Sequence, residues 1–522
     1  MSKKSNRQMR ADRTSRAGSI DAQSLAPLPL TGVMLSQALR FHQQGLLDQA
    51  RALYEAVLQI EPVNFDALHL CGVLSSDKGH AEAAVRYIGQ ALAIRPDSVH
   101  AYQNLGIALR MLKRPLEALA AYEKGLRLEP HNPGLLNNLG NVLLEIGRPR
   151  EALSSYDKAI ALAPNLIDAH DNRGNALREM HRFDEALASY ERAQSISPDF
   201  ASAHWNESLC RLLNGDFAKG WQKYEWGWQV GTRGRQRKFA APLWLGHESI
   251  EGKTILLHAE QGLGDSIQFS RYTSEIASMG AHVILEIQPA LKELMSSLAG
   301  PKLVMAVGEP LPAFDFHCPL ASLPLALNID LASTPCRPAY LCAEPALLEK
   351  WATKLGPRKT LRVGIAWSGN TQHSRNHQRS VSLRDMIGLH ADGIQLFSLQ
   401  KDLNGDDQAT IEQSGKVSHF GEDFANTAAL ASLMDIVVSV DTSIAHLSAA
   451  LGLPTWILLA HTPDWRWMLN RTDSPWYPSA RLFRQPEPGD WSHVLGTVGE
   501  ALKEIKVSGS APIQGLKHMQ EK

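Results

Sequence analysis

The 522-residue chain is long enough for two or three domains with cores of their own, and its 44% hydrophobic and 20% charged composition is that of an ordinary globular protein. A formal net charge of −1 provides no overall attraction to nucleic acid or to an anionic membrane, which disfavours a nucleic-acid-binding role. Five scattered cysteines without a C-x-x-C pair make disulfides and a zinc knuckle unexpected and favour a reducing, cytoplasmic location.

Both ends of the chain are polar. Residues 1–30 are basic and have no apolar segment behind them, so we expect a disordered tail rather than a secretory signal. A second disordered tail is expected at residues 508–522. No segment reaches the length of a membrane span, and we therefore expect none.

Residues 31–230 contain four columns of residues that recur every 34 positions. Proline closes each repeat, at Pro62, Pro96, Pro130, Pro164 and Pro198. The other columns hold a small residue, an alanine and a large residue, as Gly106, Ala118 and Tyr122 do in the third repeat. Small residues let two helices of a hairpin approach, tyrosine is expected to fill the gap between hairpins, and proline ends the second helix. The pattern resembles the tetratricopeptide repeat and predicts an all-α solenoid of five full repeats and a degenerate sixth.

Asparagine also recurs with this period, although it is a mediocre helix former. The column comprises Asn104, Asn138, Asn172 and Asn206. One interpretation is a ladder of amides that binds the backbone of a polypeptide on the concave face, and it resembles the asparagine ladder of the eukaryotic protein O-linked N-acetylglucosamine transferase. The other is that each asparagine only ties neighbouring repeats together.

The period is lost from residue 231 onward. Residues 231–252 form a connector, whose basic cluster of Arg233, Arg235, Arg237 and Lys238 we expect to be solvated. Strand-like and helical segments then alternate over 253–343 (the first lobe) and, after a linker helix at 344–360, over 361–507 (the second lobe). Such alternation predicts parallel sheets covered by helices, and hence two Rossmann-like domains with a cleft between them. We expect the chain to tolerate division near Gly231–Gly234.

Familiar phosphate-binding and hydrolase motifs are absent. The segment "EQGLGD" is not G-x-G-x-x-G, and neither a P-loop nor G-x-S-x-G occurs, which disfavours NAD, P-loop and α/β-hydrolase chemistry. What remains is a turn with Gly262 and Gly264 that delivers Asp265 to the end of the first strand. This acid either caps the following helix or faces the cleft as a general base.

The segment "VVSVDTSIAHLSAALGLP" passes from an apolar strand to an apolar helix through Asp441, Thr442 and Ser443, with His446 one turn further on. A helix N-cap explains one of these polar residues. A phosphate site explains all of them, because a helix N-terminus offers free N–H groups and the hydroxyls and histidine add donors or charge.

Two further segments after predicted strands carry residues suited to binding an anion or a ribose: Ser368, Asn370, Arg379, Gln400 and Lys401. Their cations would neutralise a nucleotide leaving group. We find no ligand cluster for a metal and expect neither a metal nor another cofactor. The Trp- and Arg-rich stretch 464–485 is expected to form mostly aromatic core, with covering of the nucleotide site as the alternative.

Five motifs in order, "EQGLGDSIQFSRY", "GIAWSGN", "FSLQKD", "VSVDTSIAHLSAALGLPTWILL" and "DWRWMLNRTDSPWYPSARLFRQ", resemble the bacterial tetratricopeptide-repeat glycosyltransferases. Their catalytic half is similar to the ADP-heptose:lipopolysaccharide heptosyltransferases, which have the metal-free GT-B fold. The resemblance implies that Asp265 is the catalytic base. It also implies that Asp441, Thr442, Ser443 and His446 hold the donor phosphates, with Ser443 where glycine is usual.

Repeats and motifs together predict a cytoplasmic protein glycosyltransferase with an N-terminal solenoid and a C-terminal GT-B module. It would move a sugar, with inversion, from a nucleotide-sugar to a polypeptide on the solenoid, since some members of the group modify flagellins or other surface proteins. Two alternatives remain: an inactive repeat adaptor that only binds proteins, and a heptosyltransferase-like enzyme acting on glycan or lipid acceptors.

Overall fold

The structure is a computed structural model that describes residues 30–369 and 376–508. The chain divides into two compact units. The repeat unit comprises the residues up to Glu207 together with Gln229–Thr232, and the C-terminal unit comprises Ser208–Trp228 and the chain from Arg233 onward. Among the described helices, none is both long and apolar enough to cross a membrane.

The repeat region consists of antiparallel helix pairs, as the 34-residue period predicts. The helices are α1 (Leu30–Gln43), α2 (Leu47–Ile60), α3 (Phe65–Asp77), α4 (Ala81–Ile94), α5 (Val99–Met111), α6 (Pro115–Leu128), α7 (Pro133–Glu145), α8 (Pro149–Leu162), α9 (Ile167–Glu179), α10 (Phe183–Ile196), α11 (Ala201–Leu213), α12 (Phe217–Tyr224) and α13 (Gly227–Val230). The second helix of each full repeat ends two residues before its proline, so the predicted all-α solenoid is confirmed.

The small and large columns pack against each other inside one hairpin. A Cβ at Gly106 would lie 2.3 Å from the Tyr122 ring, and one at Gly140 would lie 2.5 Å from the Tyr156 ring. Any side chain at these glycines would therefore displace the tyrosine. The expectation that tyrosine fills the gap between hairpins is wrong, because each ring occupies the space left by the glycine of its own repeat.

The sixth repeat does not belong wholly to the solenoid, contrary to our expectation that the solenoid runs to residue 230. The boundary between the units falls within α11, at Glu207 and Ser208. In the C-terminal unit, the buried Trp221 stands edge-on to Phe269 and to Trp465, with ring centroids 6.2 and 5.1 Å away. Helix α12 is thus part of the core of that unit.

The connector is solvated only in part: Arg235 and Lys238 are exposed, as expected, but Arg233 and Arg237 have partners in the fold. Arg233 is fully buried and forms ion pairs with Glu225 at 2.6 Å and with Glu260 at 2.8 Å. Arg237 pairs with the buried Glu286 on the first lobe. Local composition did not predict these ion pairs, because Glu260 and Glu286 are distant along the chain from the arginines that they contact.

The first lobe contains a four-stranded parallel sheet in the order β3-β2-β1-β4. Its elements are β1 (Thr254–His258), α14 (Leu263–Phe269), α15 (Thr273–Ser278), β2 (His282–Ile287), α16 (Lys292–Met295), β3 (Pro301–Ala306), β4 (Phe316–Pro319) and α17 (Leu323–Ala326). One face of this sheet packs on Phe239 of the connector and Phe314, around Leu256 and Ile284.

The second lobe contains a six-stranded parallel sheet in the order β10-β9-β8-β5-β6-β7. Linker helix α18 (Pro345–Leu355) precedes it. The elements are β5 (Leu361–Ala366), α19 (Asn376–Arg379), α20 (Leu383–Met386), β6 (Ile394–Ser398), α21 (Gly405–Ser414), β7 (Val417–Ser418), α22 (Phe424–Ser432), β8 (Ile436–Val440), α23 (Ser443–Ala450), β9 (Thr455–Leu459), β10 (Ala480–Arg484) and α24 (Trp491–Ser508). Because the order reverses between β5 and β8, the sheet has a topological switch point there.

Because α12 and Arg233 pack in the core of the C-terminal unit, we do not expect the chain to tolerate division near Gly231–Gly234. Division before α12 is predicted instead. A fragment beginning at residue 240 leaves Glu260 buried without its cation, and removal of one partner of a buried pair costs about 3–5 kcal/mol. We expect this fragment to aggregate, whereas one beginning at Ala201 should be soluble and unfold cooperatively. Size-exclusion chromatography and thermal melting of both fragments provide the test; a stable fragment from residue 240 would contradict it.

Candidate active site

Three neighbouring strands of the second lobe deliver the predicted donor-binding residues to one edge of the sheet. β5 runs into Ser368, β6 into Gln400 and β8 into Asp441, and β5 lies between the other two. The Gln400 side-chain amide donates to the Ser368 carbonyl oxygen at 3.0 Å, so these two loops touch. This edge includes the switch point, where open α/β sheets bind ligands.

The start of α23 shows the N-cap, and the phosphate site at this strand-to-helix junction stays a prediction. The extended Thr442 is the N-cap, since its hydroxyl accepts from the Ile444 N–H at 3.3 Å. The cap leaves the remaining polar groups of the junction unexplained. As in any helix, the other first-turn N–H groups lack intrahelical acceptors and favour an anion.

His446 is buried, at 4% exposure, and its imidazole is held on two sides. Its Nδ1 lies 2.9 Å from the Tyr477 hydroxyl, and its ring stacks on Trp467 with centroids 5.3 Å apart. Burial, assisted by the nearby Arg466 and Arg271 guanidinium groups, holds the pKa of His446 well below its usual value. This shift favours the neutral ring, and a charge on His446 beside a bound phosphate stays a prediction.

Asp441 lies among charged neighbours at the same edge. Burial and, to a lesser degree, the carboxylate of Asp464 raise the pKa of Asp441 to about 6, while Arg379 opposes the shift. Arg379 is close enough to Gly369 that a Cβ there would lie 2.8 Å from its Nη2. The guanidinium of Arg379 thus lies next to the loop after β5 and also acts on Asp441, which precedes α23.

Two buried polar atoms at this edge, Arg379 Nε and Gln400 Oε1, lack a hydrogen-bond partner within the described residues. Such atoms are rare in folded proteins unless a ligand or water satisfies them. Asn370 lies outside the described residues, and Lys401 is exposed.

Asp265 uses both carboxylate oxygens. Oδ2 accepts from the Gly262 N–H at 2.8 Å, which is the helix-capping contact anticipated from the sequence. Oδ1 forms an ion pair with Arg466, whose guanidinium also contacts Asp464 at 2.8 Å and Gln268 at 2.5 Å. Arg466 thereby orients the acid of the first lobe from the second lobe.

Gly264 brings the two lobes together at this point. A Cβ there would lie 2.9 Å from Cδ2 of His446 and 3.4 Å from Cα of Ser443. Any side chain would separate the Asp265 turn from the start of α23, so this glycine is needed for close approach and not for a special φ angle.

Sequence reasoning missed Arg466, Asp464 and Tyr477, which all lie in the stretch expected to be mostly aromatic core. The core assignment holds for Trp465, Trp467 and Trp476, since they are buried. The signal for the others was the interleaving of arginine with tryptophan. In the parts of the chain that the structure describes, no three His, Cys, Asp or Glu side chains are grouped to hold a metal ion.

In the solenoid, the predicted asparagines contact the preceding repeat. The contacts are Asn104 Nδ2 with His69 Nε2 at 2.9 Å, Asn172 Nδ2 with Asn137 Oδ1 at 3.0 Å, and Asn206 Nδ2 with the Asp171 carboxylate at 2.9 and 3.1 Å. These amides tie repeats together, as one of the two interpretations holds. Binding of an acceptor by the column, including the half-buried Asn138, stays a prediction.

A second asparagine column lies one helical turn further along, at Asn141 and Asn175, and the sequence reading overlooked it. The Tyr156 hydroxyl donates to Asn141 Oδ1 at 2.8 Å, and that of Tyr190 donates to Asn175 Oδ1 at 3.0 Å. With the oxygens engaged, both amide nitrogens are left as donors. In the first column the nitrogens of Asn104, Asn172 and Asn206 are engaged instead.

The repeat region and the C-terminal region match different family models. The tetratricopeptide repeat model matches residues 41–109, 100–165 and 131–199. The model of glycosyltransferase family 9 (heptosyltransferase) matches residues 422–490, which include the start of α23 and Arg466.

Similar individual proteins were also found. Protein FlbA of Caulobacter vibrioides is 26% identical over 333 residues, or 57% of this chain; the match spans about half (54%) of that relative's own length. The crystal structure of MamA is 25% identical and covers 31% of this chain and 94% of its own, with a TM-score of 0.29. A thermophilic repeat protein of Thermus thermophilus is 22% identical and covers 35% and 99%, with a TM-score of 0.31.

The buried Asp171 beneath Asn206 provides a pH-dependent prediction. Burial raises the pKa of Asp171 to about 7, although the Asn206 amide opposes the shift. The folded state therefore holds a proton that the unfolded state, with a pKa of about 3.9, has lost, so stability falls as pH rises from about 4 to 7. Asp171→Asn should remove this cost and stabilise the repeats by roughly 2 kcal/mol at pH 8 but little at pH 4.

Hydrogen exchange of α9 and α10 amides in the full chain, corrected for intrinsic rates, measures this difference. Asp199→Asn, in an exposed turn, makes the same charge change and serves as the control. Equal effects of the two substitutions at both pH values would show that Asp171 is ionised throughout.

Proposed function

We propose that this protein is a protein glycosyltransferase that moves a sugar from a nucleotide-sugar to a polypeptide held by the repeat unit. The observation that carries the proposal is the convergence of unpartnered Arg379 and Gln400 atoms with the start of α23 at the switch point. The family 9 match over this segment supports glycosyl transfer, and the tetratricopeptide repeats support binding of a protein.

In the proposed reaction, the donor phosphate lies at the N-terminus of α23, with Thr442, Ser443 and His446 around it. Leaving-group charge is stabilised by first-turn N–H groups and by Arg379, so no metal is required. Asp441 has a raised pKa, and this limits the negative charge facing the phosphate.

Asp265 is proposed as the general base. The acceptor oxygen, from a serine or threonine hydroxyl, attacks the anomeric carbon while the bond from that carbon to the phosphate oxygen breaks. The proton passes to Asp265, and attack opposite the leaving group inverts the configuration. Arg466 orients the carboxylate through its contact with Oδ1.

The acceptor is proposed to lie along the two asparagine columns. Column one, Asn104, Asn138, Asn172 and Asn206, offers carboxamide oxygens, and column two offers the nitrogens of Asn141 and Asn175. A polypeptide backbone carries both N–H and C=O groups, so an extended segment complements acceptors and donors one helical turn apart.

A second candidate is a transferase that acts on a glycan or lipid acceptor. The inter-repeat contacts of the asparagines favour it, because asparagines that only tie repeats together do not imply a bound peptide. Mass spectrometry of surface proteins, flagellin first, and of surface glycolipids from a deletion strain separates the two. We expect sugar masses to disappear from a protein. Loss from a glycolipid alone would favour the second candidate, and no loss from either would favour an inactive adaptor.

Asp265→Asn tests the base directly. The side chain retains an oxygen for the Gly262 N–H but cannot take a proton, so turnover should fall about 10²- to 10⁴-fold with nucleotide affinity near wild type. Asp464→Asn removes the other carboxylate on Arg466 and is the matched control. Equal losses of turnover in the two variants would show that Asp265 acts only as an ion-pair partner of Arg466 and not as the base.

Substitution at α23 tests the phosphate site. His446→Ala should weaken binding of the nucleotide product by about 1.5–3 kcal/mol, the range for a hydrogen bond to a charged group. Thr442→Ser keeps the capping hydroxyl and is the control for disturbance of this turn. Isothermal titration calorimetry with ADP, GDP, UDP and CMP measures both variants; unchanged affinity in His446→Ala would overturn the assignment.

The acceptor surface is tested by Asn141→Asp combined with Asn175→Asp. Each aspartate still accepts from its tyrosine hydroxyl but loses the outward donor, so acceptor affinity should fall by about 1 kcal/mol or more per site. The exposed Asn165→Asp adds the same charge outside the two columns. Complementation of the deletion strain, read as glycan occupancy of the acceptor, should show a deficit only in the double variant; full occupancy there would remove the second column from the acceptor site.

A further inference from the structure

Behind the proposed phosphate site lies a chain of hydrogen-bonding groups that reaches from His446 into the first lobe. The Tyr477 hydroxyl lies 2.9 Å from His446 Nδ1 and 3.4 Å from the Tyr340 hydroxyl. The Tyr340 hydroxyl in turn lies 3.0 Å from the Ile267 carbonyl oxygen and 3.3 Å from Arg271 Nη2. His446 and Tyr477 are both almost completely buried.

Each proton in this chain can be assigned from its neighbours. Tyr340 donates its single proton to the Ile267 carbonyl, which has none to offer, and Arg271 donates to the Tyr340 oxygen. Tyr340 therefore acts only as an acceptor towards Tyr477. The proton of Tyr477 has two possible acceptors, His446 Nδ1 and the Tyr340 oxygen.

Distance decides between these acceptors. At 2.9 Å, the contact with His446 Nδ1 is an ordinary hydrogen bond, whereas 3.4 Å exceeds the usual 2.5–3.0 Å for one hydroxyl donating to another. Tyr477 thus donates to Nδ1. A neutral imidazole that accepts at Nδ1 carries its proton on Nε2.

Arg271 prevents the imidazole from taking a second proton. It is buried and donates to the carbonyl oxygens of Gln268, Pro335 and Trp476, and it lies over the Tyr477 ring at 4.5 Å. These neutral partners leave its positive charge uncompensated by a carboxylate. Charge repulsion from Arg271 adds to burial in keeping His446 neutral.

The edge of the imidazole opposite Tyr477 lies beside Gly264, in the glycine-rich turn of the first lobe. A Cβ built on Gly264 would lie 3.6 Å from His446 Nε2, and within the described residues this nitrogen has no hydrogen-bond partner. It is an unpartnered group on a buried side chain, one turn inside the N-terminus of the eight-residue helix α23.

We propose that Tyr477 is a positioning residue that holds His446 in the neutral Nε2–H tautomer, so that His446 presents a hydrogen-bond donor to a phosphate oxygen of the donor nucleotide. The identity of this ligand rests on the proposed function, whereas the tautomer does not. With the opposite tautomer, the Nε2 lone pair would face the phosphate oxygen and repel it.

Nitrogen-15 NMR of histidine-labelled full-length protein tests the tautomer without any ligand, with His446→Gln used to assign the signals. The expected spectrum shows a protonated Nε2 and an unprotonated, hydrogen-bonded Nδ1. A protonated Nδ1 in the wild type would overturn the proposal.

Two tyrosine variants distinguish this arrangement from the reversed chain, in which His446 Nδ1–H donates to Tyr477 and Tyr477 donates to Tyr340. Tyr477→Phe should release the tautomer and weaken binding of ADP, GDP, UDP or CMP, whichever binds the wild type, by about tenfold. Tyr340→Phe should leave His446 in the Nε2–H form, whereas in the reversed chain it would remove the acceptor of Tyr477 and shift the tautomer. An unchanged tautomer in Tyr477→Phe would overturn the proposal. If the wild type shows the expected tautomer but binds none of these nucleotides, the proposed function fails and the tautomer assignment stands.

Discussion

The ion pair between Arg466 and Asp265 is the interaction on which the geometry of the catalytic unit depends. It joins side chains 201 residues apart, one in each lobe, and Arg466 is further held by Asp464 and Gln268. The pair therefore fixes where the glycine-rich turn of the first lobe faces the start of α23, and Gly264 permits the close approach.

Two other buried arginines of the C-terminal unit have different partners and different effects. Arg233 is compensated by the carboxylates of Glu225 and Glu260 and fastens the connector to the first lobe. Arg271 has carbonyl and aromatic partners instead, so its charge acts on neighbouring groups such as His446. A paired arginine stabilises structure, while an uncompensated one tunes the protonation of the site.

Local signals in the sequence were sufficient for the fold. The Gly106–Tyr122 spacing predicted the hairpins because it reflects contact inside one repeat, and apolar runs such as that before Asp441 predicted buried parallel strands. Candidate residues at strand ends were found for the same reason, since Ser368, Gln400 and Asp441 follow neighbouring strands. Distant contacts were not predictable. Nothing near Arg466 in the sequence indicates Asp265, and nothing near Arg233 indicates Glu260. The lowered pKa of His446 follows from its burial and from arginines distant in the sequence.

We propose that the carboxyl edge of the second sheet binds a nucleotide-sugar. Hydrogen–deuterium exchange of the full chain, with and without each nucleotide of a panel, tests it most directly. Backbone amides at the start of α23 lack intrahelical acceptors, so a bound phosphate should slow their exchange. The account predicts protection of the segments around Asp441–His446 and Ser398–Gln400, with the repeat unit unaffected. Absence of protection by every nucleotide, or protection confined to other segments, would contradict it.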